Sequence, residues 1–370
     1  MFAGVLVVVH CVLAQPGMPC ITVEDVCKTY PEKIARLFAK LDLDREPLAP
    51  VKTAVANNDL PGACTALLDY YRSTGWAAKY RVERIEATGA RDADADAILN
   101  DDYTFYNVTA HVPRRPDGGL DWSYNGPSGD REWGWGLNRQ PWLKTLLAAY
   151  SGTGNIEYVN AIDTLLRDWL TSNPYSGFRS DTPQWRGLEV YMRVGVNWPN
   201  VFYGLQEFLE FSPATRLLML ESVLDHADYN RNFHAKGGNW IVMEMHGLES
   251  AAAYWPEFKE ADRWFRYAVE RLTPELEKQI YPDGAQKELT SSYHRVTLMN
   301  FNAFKELALE SGRTLPDSFT QGIEKLSNYV AYAMDPLGDD PLNNDSDLEP
   351  VNGEILEYAQ QFNRPDWVYI

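Results

Sequence analysis

Apolar residues recur every three or four positions along most of this chain, which is the spacing of an amphipathic α-helix. The pattern runs through residues 22–97 and again from about 133 to 333. Its clearest stripe consists of Ala261, Trp264, Phe265, Ala268, Val269 and Leu272. Because we find no strand-rich region, the pattern predicts an all-α protein.

Helix-breaking residues divide the second of these regions into short-linked helices. The breakers are Gly152-Thr153-Gly154, Asn173-Pro174, Ser212-Pro213, Trp255-Pro256, Pro282-Asp283-Gly284 and Gly312. Short links favour antiparallel neighbours, so we expect an array of helical hairpins. Such an array either closes into a toroid or stays open as an arc, and periodicity alone does not choose between the two.

Two segments lack the helical period. Residues 98–130 are rich in Asp, Asn, Gly and Pro, which indicates a long functional or connecting loop. Residues 335–349 are acidic and turn-rich. The spacing of an EF-hand is absent there, so we interpret the segment as a solvated linker rather than a calcium loop. A short helix near 353–362 follows it.

These boundaries predict two parts after the N-terminal leader. We assign residues 15–334 to the helical domain and residues 335–370 to the acidic linker with its short helix. The chain stops abruptly on apolar residues, and we therefore expect this linker to lead into a further domain that the sequence does not contain.

The N-terminal residues 2–14 carry no charged side chain and are mostly apolar. The run is too short to span a membrane and predicts a signal peptide, residues 1–14, cleaved after Ala14. Export would place the protein in the periplasm or outside the cell. No later stretch is long and apolar enough for a transmembrane helix, so we expect no association with a membrane.

All four cysteines, Cys11, Cys20, Cys27 and Cys64, lie near the N-terminus. A Cys20–Cys27 disulfide and free thiols are both compatible with this spacing. No spacing of cysteines and histidines resembles a zinc site, and we expect no metal.

The 370-residue chain is 45% hydrophobic, which is enough for a sizeable core, and its formal net charge is −18. So acidic a chain is not expected to bind nucleic acid, and the charge argues mildly against a polyanionic substrate. Basic residues nevertheless flank the polar motifs: Arg131, Arg139, Arg186, Arg193, Arg231, His234, Lys236 and Arg295. They form either a local basic cleft, which concentrates the field despite the net charge, or a set of scattered surface side chains.

Two motifs in the second half place polar groups at the ends of apolar helices. The first, residues 237–248, begins Gly237-Gly238-Asn239-Trp240 and ends near His246, and the second, residues 283–294, ends in Tyr293-His294. Together they supply an amide, a phenol and imidazoles. This set suits abstraction of a proton next to a carboxylate, as in β-elimination from a polysaccharide, better than hydrolysis.

The physical reason lies in the charge of the intermediate. Loss of the C5 proton of a uronate creates an enolate beside a carboxylate, so a donor such as the Asn239 amide must stabilise the growing charge. Tyr293 would serve as base, acid or both. Because the pKa of a tyrosine is ordinarily about 10, we expect Arg139, Arg295 or His294 to lower it.

Each of these residues also has a purely structural interpretation. Asn239 follows two glycines and precedes a helix, so an N-cap role is about as well supported by the spacing. Tyr293 taken alone would be an ordinary half-buried tyrosine, and His246 and His294 would be satisfied helix histidines. The functional interpretation therefore depends on the association of the residues.

Three blocks, residues 130–142, 238–248 and 281–294, resemble the heparinase II/III-like polysaccharide lyases. They occur in the order of that family, and the similarity spans residues 25–370, with the heparan-sulfate lyase (heparinase III) branch as the best match. The resemblance implies an incomplete α/α toroid, normally followed by an antiparallel β-sandwich domain. That second domain supplies a further histidine, and often a tyrosine, to the family's site.

By the same resemblance, Asn239 neutralises the uronate carboxylate and Tyr293 is the catalytic acid/base. The residues expected to bind substrate or support the site are His294, Arg139, Asn138, Trp240, Glu288 and His246. Alginate-lyase relatives often carry histidine where Trp240 stands, which weighs against alginate. The implied protein needs no cofactor, acts on an acidic polysaccharide and is expected to be a monomer.

Two other functions remain open at this point. A toroidal glycoside hydrolase would need two carboxylates roughly 5–9.5 Å apart, and the candidates are Glu132, Glu244, Glu288 and Asp283. A non-catalytic glycan-binding protein would use a platform of tryptophans, namely Trp133, Trp135, Trp142 and Trp240.

Overall fold

The computed structural model describes residues 20–180 and 182–368. The predicted signal peptide, residues 1–14, and Cys11 lie outside the described residues. The α-helices are α1 (Val23–Thr29), α2 (Pro31–Lys40), α3 (Ala49–Ala56), α4 (Leu60–Arg72), α5 (Gly75–Tyr80), α6 (Ala93–Leu99), α7 (Arg131–Arg139), α8 (Trp142–Thr153), α9 (Glu157–Ser172), α10 (Gly187–Tyr191), α11 (Trp198–Gly204), α12 (Pro213–Phe233), α13 (Gly238–Tyr254), α14 (Ala261–Leu272), α15 (Glu275–Lys278), α16 (Ser291–Glu310), α17 (Asp317–Ala333) and α18 (Asn352–Gln361). A π-helical segment, Met192–Asn197, joins α10 to α11, and short 3-10 helices span Glu46–Leu48 and Pro365–Val368.

Helices that follow one another along the chain pack against one another. This holds for α3 with α4, α8 with α9, α13 with α14 and α16 with α17. Since short loops join them, each pair runs antiparallel. The all-α hairpin architecture predicted from the periodicity is confirmed.

The predicted breakers stand at helix ends for identifiable reasons. Ser212 is the N-cap of α12, where its hydroxyl accepts a hydrogen bond from the Thr215 backbone N–H, and Pro213 occupies the first helical position. Asn173 ends α9 directly before Pro174, a residue that disfavours helix at the position before it.

Helix α13 is the centre of the domain. It packs against α10, α12, α14 and α16, and it is buried around almost its whole circumference. A helix that is buried on every side is stable only where other helices surround it. The enclosure fixes the axis of α13, and with it the place where its N-terminal residue Asn239 emerges.

Two parts of the first hundred residues differ from the prediction. Residues 81–92, expected to be helical, form neither helix nor strand, and Val82 N–H donates to the Gly204 carbonyl. Residues 98–130 contain a hairpin of β1 (Asp102–Phe105) and antiparallel β2 (Val108–His111). Its turn residues Tyr106 and Asn107 have φ of 53° and 61°, which is a type I′ geometry without the usual glycine, so the sequence signal was weak.

The hairpin lies against α7. The Trp133 indole N–H donates to the Val108 carbonyl at 3.0 Å, and Phe105 packs edge-on against the same ring. The segment that looked like a loop therefore braces the helix that carries Arg139.

The structure also decides two further sequence predictions, one on the cysteines and one on the helix near residue 353. Cys20, Cys27 and Cys64 are free thiols, so the Cys20–Cys27 disulfide alternative is wrong for this structure. The short helix predicted near 353–362 is α18, Asn352–Gln361.

Candidate active site

The candidate site forms where the N-terminal ends of α10, α13 and α16 meet helix α7 and the loop of residues 279–290. Asn239 stands at the start of α13, Tyr293 at the start of α16 and Arg139 at the end of α7. The two motifs singled out from the sequence are thus brought together by packing, although they are separated along the chain.

Asn239 is held by a single carboxylate. Its backbone N–H donates to Glu288 Oε1 at 2.7 Å and its Nδ2 donates to Glu288 Oε2 at 2.8 Å. The N-cap of α13 is Gly237, and its cap involves no side chain. The N-cap interpretation of Asn239 is therefore wrong, because its amide is turned toward Glu288 instead of back to the helix.

Gly238 makes this arrangement possible. Its φ is +74°, and a Cβ at this position would stand 2.9 Å from Glu288 Oε1. Any other residue would be strained in the left-handed region and would also push against the carboxylate that orients Asn239.

Glu288 is positioned in turn by Gln286 and His294. The Glu288 backbone N–H donates to Gln286 Oε1 at 2.8 Å, and His294 Nδ1 accepts the Gln286 backbone N–H at 3.2 Å. His294 Nε2 donates to the Leu326 carbonyl at 3.0 Å. Burial lowers the pKa of His294 to about 4, so the ring is neutral. It supports the loop from behind and presents neither nitrogen to a substrate.

Tyr293 is half-buried, and its phenol donates to Asp345 Oδ2 at 2.6 Å. This hydrogen bond is the largest cause of a raised Tyr293 pKa, followed by burial and by the charges of Asp345, Glu288 and Glu132. The cationic neighbours expected from the sequence are absent from these causes. Arg295 pairs with Glu354 instead, and His294 is neutral.

The acidic segment that supplies Asp345 is folded onto the start of α16. Further hydrogen bonds join Ser291 Oγ to the Pro341 carbonyl, Ser292 N–H to Ser346 Oγ, Asp347 N–H to Ser292 Oγ and Asn344 Nδ2 to the Leu289 carbonyl. The segment has no helix or long strand and is largely exposed, as expected for a solvated linker, but it is also tied to α16, which the sequence did not indicate. It fixes the orientation of Tyr293.

Arg139 and Arg186 share one buried acid, Glu189, which is fully buried. Arg139 Nε donates to its Oε1 at 3.1 Å, and Arg186 donates to both of its oxygens at 2.6 and 2.7 Å. A buried carboxylate between two guanidinium groups holds both in place and leaves the group with net positive charge.

The Arg186 guanidinium is stacked between two indole rings. It lies 3.4 Å from the centroid of Trp135 and 4.9 Å from that of Trp240. Trp240 is 41% exposed, whereas Trp133 and Trp142 are each 2% exposed and belong to the core. Of the four tryptophans proposed as a platform, only Trp135 and Trp240 reach the site.

Two of the predicted site residues lie deeper. Asn138 is fully buried; it donates to the carbonyls of Trp122 and Gly134 and accepts from the Trp169 indole. His246 is 6% exposed and contacts Asn300 two turns along α13 from Asn239. Both stabilise the helices around the site and are not brought next to Asn239.

Most of the other basic residues flanking the motifs have structural roles. Arg193 is buried against Trp169 and donates to the Asn138 and Gln184 carbonyls, and Arg231 stacks on Tyr267. The positive charge of the cleft therefore comes from Arg131, Arg139 and Arg186, together with Arg179. Arg179 lines one pocket with Arg131 and Arg186, and the sequence interpretation missed it.

Glu244 entered the sequence analysis only as a hydrolase carboxylate, and Glu189 and Asp345 were missed as contributors to the site. Only Asp345 gave a sequence signal, as part of the turn-rich segment 335–349. Within residues 20–180 and 182–368 no group of three or more His, Cys, Asp or Glu residues is arranged to hold a metal ion. In the same part of the chain, no helix combines the length and apolar character needed to cross a bilayer.

Comparison with known proteins places this chain in a family. The chain matches the family model described as Heparinase II/III N-terminus over residues 37–366. It is 27% identical over 314 residues to the heparin-sulfate lyase of Bacteroides thetaiotaomicron, covering 81% of this chain and 44% of that protein. It is 28% identical over 333 residues to the heparin-sulfate lyase of Pedobacter heparinus, covering 87% of this chain and 50% of that protein.

A crystal structure of heparinase III has the same fold, with a TM-score of 0.77 at 24% identity over 89% of this chain and 53% of that chain. This likeness confirms the incomplete α/α toroid. The chain spans about half the length of the relatives it matches. Because the family model covers most of the chain, this protein belongs to the Heparinase II/III N-terminus family.

Proposed function

We propose that this protein is a polysaccharide lyase that cleaves a uronate-containing glycosaminoglycan, heparan sulfate, by β-elimination. The observation that carries the proposal is the fixed amide of Asn239. Glu288 holds it at the N-terminus of α13, and the phenol of Tyr293 lies within electrostatic range of the same Glu288.

Asn239 would stabilise the charge that grows on the uronate carboxylate. Its Nδ2 uses one hydrogen on Glu288 and has a second to donate. A donor held in position before the reaction stabilises the developing enolate without reorganisation. The positive end of the α13 dipole adds to the effect.

Tyr293 would move the protons. The C5 proton leaves, its bonding pair forms the C4–C5 double bond, and the C4–O bond breaks while a proton is delivered to the departing oxygen. As a protonated phenol, Tyr293 is ready to act as the acid. To act as the base it must first ionise, against the hydrogen bond that it donates to Asp345, 2.6 Å away; the phenolate then takes the C5 proton and, as a phenol again, delivers it to the departing oxygen. No water and no cofactor enter this balance.

The substrate class is supported by the charges at the site and by the relatives. Arg139 and Arg186 stand beside Asn239's helix in a chain that is otherwise strongly acidic, so an anionic glycan meets a locally positive surface. The two relatives described above are both named heparin-sulfate lyases.

The experiment is to incubate this chain with heparan sulfate, heparin, chondroitin sulfate, hyaluronan and alginate and to record the ultraviolet absorbance of an unsaturated uronate. Tyr293→Phe, checked for an unchanged circular dichroism spectrum, is the control. We expect the absorbance to rise with heparan sulfate and not with the variant. Products without a double bond, or an unaffected variant, would refute the lyase mechanism.

We further propose that the protein is exported to the periplasm or the medium and acts as a monomer. The supporting observation for export is the uncharged N-terminal run of residues 2–14. Mass spectrometry of the N-terminus of protein from fractionated cells would detect cleavage after Ala14, and light scattering would give the mass. An uncleaved cytoplasmic protein or a stable dimer would contradict these proposals.

A further inference from the structure

A second feature of the cleft lies beside Asn239 and Tyr293. A pocket of about 210 Å³ has Trp135, Arg179, Arg186, Gly187, Trp240 and Glu244 among its lining residues. It borders the Asn239 position through Trp240, the next residue. Pockets that enclose whole drug-sized ligands measure roughly 300–1,000 Å³, so this one has room for a substituent of a sugar rather than for a chain.

Two guanidinium groups give the pocket its donors. Arg186 Nε and Nη2 both donate to Glu189, and the guanidinium is stacked between Trp135 and Trp240. Its Nη1 makes no hydrogen bond to any described residue. Arg179 is exposed and forms no hydrogen bond or ion pair within residues 20–180 and 182–368. One guanidinium held on Glu189 and one exposed guanidinium therefore remain to bind an anion.

Glu244 is the acid of the pocket. It is 2% exposed, and its Oε2 accepts the Ala235 backbone N–H at 2.6 Å. A Cβ on Gly187 would stand 1.8 Å from Glu244 Oε1, so only glycine at this position lets the carboxyl group lie against the chain that follows Arg186. Burial is the main cause that raises the pKa of Glu244 to about 7.

We propose that this pocket is an anion subsite that takes a sulfate group on the sugar next to the uronate bound at Asn239. The inference deepens the proposed function and rests on it for the identity of the glycan. Arg179 and Arg186 donate to the sulfate, and the protonation of Glu244 sets how strongly it is held. The groups that face Glu244 are Arg179 and Arg186 from the preceding loop, Glu189 from α10 and Tyr229 from α12.

The test measures binding apart from cleavage. In the Tyr293→Phe background, calorimetry compares an N-sulfated heparan tetrasaccharide with its desulfated, N-acetylated counterpart. Arg179→Gln should weaken the sulfated probe about tenfold, since one charge-assisted hydrogen bond is lost, and leave the desulfated probe unchanged. The control is Arg81→Gln, whose side chain is 58% exposed and pairs with Glu83. An equal effect on both probes, or none on either, overturns the subsite.

A second arm uses pH. Below about pH 7 Glu244 gains a proton and stops repelling the anion, so the sulfated probe should bind more tightly at pH 6 than at pH 8, by several-fold. Glu244→Gln keeps the acceptor for Ala235 N–H and should bind equally at both values. A variant that retains the full pH dependence would remove Glu244 from the subsite.

The two proposals fail differently. If no glycan yields an unsaturated product but Arg179→Gln still weakens only the sulfated probe, the subsite stands and the lyase function fails. If the lyase acts on heparan sulfate but Arg179→Gln binds both probes as the parent does, the subsite fails and the lyase function stands.

Discussion

The phenol of Tyr293 donates its hydrogen to Asp345 Oδ2 at 2.6 Å. The two residues come from parts of the chain that have no local relation, the start of α16 and the acidic segment after α17. Because a carboxylate acceptor stabilises the protonated phenol, the contact fixes the position of Tyr293 and also keeps its proton in place. A tyrosine that acts as a base needs a positively charged neighbour to lower its pKa, whereas the partner here is a carboxylate, which raises it.

Asp345→Asn should lower the pKa of Tyr293. The variant keeps an oxygen that can accept from the phenol but loses the charge that raises the pKa. The acid limb of the pH profile of kcat/KM should then move to lower pH, and kcat/KM at about pH 7 should rise several-fold. The tyrosinate absorbance that disappears in Tyr293→Phe measures the shift directly.

The matched control for that experiment is Asp347→Asn. Asp347 lies in the same segment, but its contact is through the backbone N–H to Ser292 Oγ. If both variants move the profile equally, the effect comes from the overall charge of the segment and not from the bond to Tyr293.

Glu288→Gln should lower kcat by roughly tenfold to a hundredfold, because a small misplacement of a reacting group is costly. Glutamine has one acceptor oxygen for the two donors of Asn239, and its NH₂ group would face the second of these donors. In Asn239→Ala the same change should have almost no further effect, since the two residues act as one unit. Independent losses that simply multiply would show that Glu288 acts elsewhere. Glu277→Gln, at an exposed position of α15, is the surface control.

Gly238→Ala should destabilise the fold by about 1–2 kcal/mol, the cost of a left-handed conformation for an L-residue, and should also reduce activity. The added Cβ meets Glu288 Oε1 at 2.9 Å, so the carboxylate must move. Urea unfolding and kcat give the two readouts.

Gly237→Ala is the comparison for that variant. Gly237 has φ of −179°, and the nearest heavy atom to an added Cβ is 3.9 Å away. We expect it to keep kcat within about twofold, with a stability cost below about 1 kcal/mol. A comparable loss of activity in both variants would mean that the strain argument is wrong.

His294→Gln should change how stability depends on pH. The folded pKa of His294 is lowered to about 4 by burial, while the unfolded value is about 6.5. The unfolded chain therefore binds more protons as the pH falls through this window, and the native state loses stability. From about pH 7.5 to pH 5, the wild type should lose about 2 kcal/mol more than the variant.

That prediction concerns the difference in stability between the wild type and His294→Gln, because other buried groups also titrate in this pH range. Asp225 and Asp340 have pKa values raised to about 6, and such acids contribute in the opposite direction, losing stability as pH rises. They are common to both proteins and cancel. Parallel stability curves for wild type and variant would show that His294 is not the titrating group.

The sequence was sufficient for features that depend on neighbours along the chain. The apolar period of residues 261–272 predicts α14, and Ser212-Pro213 predicts the start of α12, because both signals act within one or two turns. The sequence also singles out Asn239 and Tyr293 as candidate site residues, and the family resemblance that their motifs carry is confirmed. The hairpin at residues 102–111 was missed because its turn lacks the usual glycine.

Tertiary structure decided which partner each site residue has. Asn138 and His294 are expected from the sequence to bind substrate or support the site, but packing occupies the polar atoms of both. Backbone groups take both His294 nitrogens, and two carbonyls and the Trp169 indole take the Asn138 amide. The spacing supports an N-cap role for Asn239 as well as a catalytic one, yet the Asn239 amide donates to Glu288, nearly fifty residues further along the chain. Residues 335–349 are largely exposed, as predicted, and the fold also places Asp345 of this segment on Tyr293. The charge, burial and hydrogen bonding of a side chain depend on groups distant in sequence, and only the folded chain brings those groups together.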